Sequence, residues 1–67
     1  MEIRYNSRLT SARIRAELTA KDAAAALHVS RSAIYMYERG ERRPPDDVKV
    51  AMAKLYGMTV QDLFFAG

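Results

Sequence analysis

TAKDAAAALHVSRSAIYMYERG, residues 19–40, is the stretch whose reading decides the fold. It reads as two short helices, about Ala20 to Leu27 and about Arg31 to Arg39, joined by the three-residue turn His28-Val29-Ser30. Each helix has a start signal. Thr19 can accept from the N–H groups that open the first, and Asp22, three residues on, completes a capping box. Ser30 can serve the second in the same way. Gly40 stands where a helix C-terminus favours a left-handed residue. A connection this short makes the two helices cross steeply. Ala23, Ala24 and Leu27 fall on one face of the first helix, and Ile34 and Tyr37 on one face of the second. Val29 plugs the turn, and the small side chain of Ala24 suits the closest approach of the two axes.

The opposite face of the second helix carries Arg31, Ser32, Tyr35, Met36 and Arg39. An aromatic and a methionine between two arginines, with no acid among them, is an odd composition for a plain solvated face. A protein interface or a covered core edge is the competing reading of Tyr35 and Met36.

The stretch resembles the helix-turn-helix of the phage-repressor and Cro (Xre-type) DNA-binding family. The likeness lies in the alanine at 24, hydrophobics at 27, 29, 34 and 37, Ser30, and the ending Glu38-Arg39-Gly40. It extends backward through Arg13-Ile14 and Leu18-Thr19. It extends forward through Arg43-Pro44 to Leu55-Tyr56-Gly57-Met58-Thr59-Val60, which is similar to the family's junction between its last two helices. About residues 8–65 are covered. The resemblance implies an all-α domain, a compact bundle of five short helices of the lambda-repressor type. It also implies a partly buried ion pair, Arg13 with Glu38, between the first and third helices. A guanidinium meets a carboxylate with two hydrogen bonds, which fixes orientation as well as charge. Two departures stand out. His28 replaces the glycine usual in the turn, and histidine is enriched at positive φ. Ala20 replaces a phosphate-touching glutamine.

Sixty-seven residues make one small domain, whose core is marginal at that size. Residues 7–67 are assigned to it. Residues 1–6 are an N-terminal arm, for which disorder and a short strand through Ile3 and Tyr5 are both open. The absence of cysteine excludes disulfides, thiolate metal sites and a cysteine nucleophile. No apolar run reaches membrane-span length and the N-terminus lacks a signal-peptide core, so an intracellular protein is expected; the resemblance implies a cytoplasmic regulator of bacterial or phage type. Net charge is +3 and the pI about 9.6. Through Pro45 there are nine Lys/Arg against five Asp/Glu, and from Asp46 onward two against three. The basic excess therefore accompanies the two-helix stretch, the polarity a polyanion partner requires. An ordinary solvated surface would read the same way.

Elsewhere the pattern is plain. Asn6 or Ser7 can cap a first helix running to about Glu17, with Leu9, Ala12 and Ala16 inward. ERRPPDD, residues 41–47, is a loop, since two prolines forbid regular helix. Its Arg42 and Arg43 would either reach phosphates or face solvent. A fourth helix from about Asp47 to Tyr56 has Val48, Ala51, Met52 and Leu55 as its apolar stripe. Gly57 ends it. Thr59, with Asp62 three residues on, caps a last short helix whose inward residues are Val60, Leu63 and Phe64. Met52 and Met58 read as core filler. Val50 and Phe65 fall off the stripes, and single exposed apolar residues are normal; the resemblance implies a dimer contact from the last helix, for which Phe65 is the candidate.

Nothing spaces the one histidine, the serines and the acids as a catalytic site, and the three scattered glycines make no phosphate loop. No catalytic residue, metal or cofactor is expected. The third helix is expected to lie in the major groove of double-stranded DNA. Arg31 would give two hydrogen bonds to a guanine, Ser32 would donate or accept, and Tyr35 and Met36 would meet thymine methyls. Lys21, Ser30, Arg39, Arg42 and Arg43 would hold phosphates. A homodimer on a near-palindromic operator and a repressor role complete the expectation. The alternative is an antitoxin-like or other protein-interaction module on the same fold.

Overall fold

The computed structural model describes the backbone of residues 7–65 and the side chains of residues 8–64. The N-terminal arm, and with it the cap candidate Asn6, lies outside the described residues, as does the side chain of Phe65. Four α-helices follow in order: α1 (Ser7–Arg15), α2 (Ala20–Leu27), α3 (Arg31–Glu38) and α4 (Asp46–Tyr56). A terminal one-turn helix of π pitch, Gln61–Phe65, closes the chain. No strand occurs among the described residues. Nor is any of their helices long and apolar enough to cross a membrane.

Local chemistry starts α2, α3 and the terminal turn. The Thr19 hydroxyl accepts from the Asp22 N–H at 3.0 Å, and the Asp22 carboxylate accepts from the Thr19 N–H at 3.3 Å. This reciprocal box opens α2, whose run of alanines has the highest helix propensity of any residue. The Ser30 hydroxyl accepts from the Ala33 N–H at 3.0 Å and opens α3. The Thr59 hydroxyl accepts from the Asp62 N–H at 3.0 Å at the start of the terminal turn. α4 starts without a side-chain cap hydrogen bond, behind Pro45, with Asp46 and Asp47 complementing the helix dipole.

The four α-helices all stop in one way. Glu17, His28, Gly40 and Gly57 are left-handed, with φ between 57° and 74°. After each, the next N–H donates back five residues: Leu18 to the Arg13 carbonyl, Val29 to Ala24, Glu41 to Met36 and Met58 to Ala53, at 2.9 to 3.1 Å. This is the Schellman arrangement, which satisfies carbonyls a helix end would leave open. Gly40 and Gly57 adopt the conformation without steric cost. Glu17 and His28 carry a Cβ there, which is unfavourable for an L-residue. The helix expected to reach Glu17 therefore stops at Arg15. No glycine marked that end. It is set by Leu18, which turns in to pack on the core.

The core takes its largest fully buried side chains from four elements: Leu9, Ile34, Met52 and Leu63. Ala20, Ala23, Ala24 and Leu27 form the buried stripe of α2. Ala24 and Ala33 are small enough to let α2 and α3 pack closely, and Val29 covers the turn. One expected stripe is corrected. On α4, Ala51 is exposed, Val48 and Leu55 are half-buried, and Met52, Ala53 and Tyr56 are buried. The inward face is thus rotated by about one residue. The Tyr56 ring removes far more apolar surface from water than the Ala51 methyl, and that difference favours the rotated docking.

Candidate nucleic-acid interface

Beneath α3 lies a polar cluster that orients it. Arg13 of α1 donates from Nε to Glu38 Oε2 at 2.7 Å and from Nη2 to Oε1 at 3.3 Å. Its Nη1 donates to the Leu18 carbonyl at 3.0 Å. Thr10, one turn before Arg13, donates its hydroxyl to Glu38 Oε1 at 3.1 Å. Glu38 is 4% exposed and is the buried charged residue of the core, so its carboxylate needs these donors. The hydrogen bond from Arg13 to Glu38, together with their charge attraction, raises the guanidinium's pKa against the opposing pull of burial. Tyr56 of α4 adjoins the cluster. Burial first, and the Glu38 charge second, push its hydroxyl up to about 12, with Arg13 opposing. That hydroxyl is buried and has no hydrogen-bond partner among the described residues.

Sequence reasoning missed Thr10 and Tyr56. Thr10 had a legible signal, its i−3 spacing from Arg13 on the helix surface. Tyr56 had none, because its burial follows from the rotation of α4.

The cluster anchors the C-terminal end of α3 and leaves its other side free. Arg31 and Ser32 are exposed at the N-terminal end, with no acid in that first turn. Tyr35 is 43% exposed, and Met36 is half-buried. Lys21, in the first turn of α2, is exposed, as are Arg42 and Arg43 in the loop after α3. Ser30 is exposed, but its hydroxyl is engaged as the α3 cap. Arg39 is engaged differently. Its Nε donates to Glu41 Oε2 at 2.9 Å and its Nη2 to Oε1 at 3.4 Å. Ala20, the position expected to carry a phosphate-touching glutamine in relatives, is buried. Among the described residues no group of three or more His, Cys, Asp or Glu side chains is arranged to hold a metal ion.

Two helices joined by a capped three-residue turn, with the second presenting a basic and aromatic outer face, form a known unit. The profile of the helix-turn-helix domain family matches residues 7–64. The chain belongs to that family. Comparison with curated proteins returned no match. Among solved structures the domain is similar to the P22 c2 repressor in complex with a synthetic operator, at TM-score 0.86 and 21% identity, covering 92% of this chain and 94% of that one. It is similar to the restriction-modification controller protein C.AhdI from Aeromonas hydrophila, at TM-score 0.79 and 24% identity, over 88% and 89% of the two chains. The clp gene regulator ClgR from C. glutamicum matches at TM-score 0.76 and 24% identity, over 87% of this chain and 75% of that one. At these identities the likeness is one of fold, and the fold is the repressor-type five-helix bundle that the sequence resemblance implied.

Proposed function

We propose that the helix-turn-helix domain binds double-stranded DNA sequence-specifically and regulates transcription as a repressor. The observation that carries this is the outer face of α3, where exposed Arg31, Ser32 and Tyr35 lie on a helix held from behind by a buried ion pair. Exposed Lys21, Arg42 and Arg43 flank it, and no ion pair among the described residues engages them. In this reading α3 enters the major groove by its N-terminal end. Arg31 pairs with a guanine edge, Ser32 hydrogen-bonds a base, and Tyr35 and Met36 meet thymine methyls. Lys21, Arg42 and Arg43 neutralise phosphates and set register. Ser30 sits at the same end of α3 and can reach a phosphate through its remaining hydroxyl hydrogen. One domain makes few contacts, so two copies would read half-sites about 34–36 Å apart on a near-palindromic operator. Phe65, near the chain end, is the proposed dimer contact. The protein binds and occludes; no catalytic step is involved.

The test is selection from a random duplex pool at moderate salt, followed by sequencing of the bound fraction. An enriched palindrome is expected. Binding without enrichment, lost as salt rises, would mean that α3 does not read bases. No binding even at low salt would favour a protein partner for the exposed Tyr35 face, in the manner of an antitoxin-like module.

A further inference from the structure

Among the described residues, Arg39 is the one arginine at the edge of the proposed interface that has an acid as partner. Positions two apart on a continuous helix point to different faces and do not meet. Here they meet because Gly40, at φ 74°, lies between them and reverses the chain. The Glu41 N–H donates to the Met36 carbonyl at 2.9 Å, so the backbone that carries the carboxylate is itself part of the α3 cap. From that anchored position both Glu41 oxygens take the Arg39 guanidinium, at 2.9 and 3.4 Å. The side chains are half exposed, 49% and 54%, so the bond is a surface pair that other ligands can compete for. Arg42 and Arg43 follow directly and are not so tied.

We infer that Glu41 neutralises Arg39 at the edge of the proposed interface and thereby lowers the domain's sequence-independent affinity for a duplex. The inference rests on the DNA-binding reading above. In the wild type the guanidinium is neutralised internally and releases few counterions from a duplex. With Glu41 uncharged, Arg39 is free to neutralise one phosphate per domain. One added phosphate contact steepens the dependence of log K on log salt by about 0.9, which between 1 M and 0.15 M salt corresponds to a roughly five-fold gain per domain. The gain is common to every sequence, because a phosphate contact carries no base information.

The experiment measures binding of the full chain to a selected duplex and to an unrelated duplex across a salt series. Wild type, Glu41→Gln, Arg39→Ala and the double variant are compared. Glu41→Gln keeps the size of the side chain and the backbone cap. It is expected to tighten both duplexes about five-fold and steepen both slopes by about 0.9. In the Arg39→Ala background the same change is expected to alter affinity by less than two-fold. A Glu41→Gln protein with wild-type slope and affinity overturns the inference. So does an equal gain in the Arg39→Ala background, which would make Glu41 a simple repulsive charge rather than a tether. Failure of the wild type to bind any duplex at low salt would instead overturn the DNA-binding reading itself, and the inference with it.

Discussion

Truncating Glu38 to alanine tests the physical basis of the interface most directly. In the wild type the carboxylate accepts from Arg13 Nε at 2.7 Å, from Arg13 Nη2 at 3.3 Å and from the Thr10 hydroxyl at 3.1 Å. The Arg13 side chain is 13% exposed and that of Glu38 6%. Removing Glu38 leaves a guanidinium under α3 with only the Leu18 carbonyl as partner among the described residues and little access to water. Breaking a buried pair in this way costs about 3–5 kcal/mol. A domain of this size is stable by roughly 3–10 kcal/mol in total. The variant should therefore sit near its unfolding threshold. At about 4–8 °C per kcal/mol, a loss of 3 kcal/mol lowers Tm by about 12 °C or more. The assay is thermal and urea denaturation followed by far-UV circular dichroism. The double change Arg13→Met with Glu38→Leu is the control, because replacing both charges with packed apolar groups is often neutral. It should recover at least about 2 kcal/mol relative to Glu38→Ala. A single variant losing less than about 1 kcal/mol would mean that the pair behaves as a surface salt bridge, and that it does not hold α3 at its angle.

Tyr56→Phe should be near neutral or slightly stabilising at pH 7, because the hydroxyl is buried without a hydrogen-bond partner among the described residues. In the wild type, burial first and the Glu38 charge second push the folded hydroxyl up to about 12, against about 10 in the unfolded chain. The unfolded state therefore releases its proton first, and stability falls as pH rises from 10 to 12, by about 2–3 kcal/mol. Unfolding free energies of wild type and Tyr56→Phe from urea denaturation across that range should diverge by this amount, and parallel curves would refute the burial argument. His28→Gly should stabilise by about 0.5–1 kcal/mol, since it relieves a left-handed Cβ at the cost of some unfolded-state entropy. A lower Tm would show that the imidazole contributes more than its strain removes. On the operator, Arg31→Ala should cost roughly 1–3 kcal/mol and relax preference at one base pair, whereas Arg42→Ala should weaken all duplexes alike and flatten the salt slope by about one. Competition binding against single-base operator variants separates the two, and a uniform loss from Arg31→Ala would reassign it to a phosphate.

Much of the architecture was legible because it is local. The helix starts at α2, α3 and the terminal turn each need one hydroxyl or carboxylate at a fixed offset from the first free N–H groups, and Thr19, Ser30 and Thr59 supply it. The ends at Gly40 and Gly57 were legible for the same reason, since glycine alone takes a left-handed φ without cost. The left-handed His28 was legible from its place in a three-residue turn. The left-handed Glu17 was not, because glutamate carries no such signal. Its conformation follows from where Leu18 must go.

The candidate site divides along the same line. Which residues face outward on α3 follows from the 3.6-residue period, once Ile34 and Tyr37 are known to face inward. What those outward residues are tied to depends on neighbours beyond the helix. Arg39 reads as a free cation until Gly40 folds Glu41 back onto it. Thr10 joins the Arg13–Glu38 cluster only when α1 and α3 are docked.

By itself the sequence determined the number and order of the helices, the capped turn, the basic polarity of the outer face and the family. Each is set by chemistry within a few residues or by a pattern along one helix. Only the tertiary structure decided the rotation of α4, the burial of Tyr56 beside an ion pair, the early end of α1 and the π pitch of the terminal turn. Those choices are made by competition between apolar surfaces for one small core. Such a competition is a sum over contacts between residues distant in sequence, and no local pattern contains it.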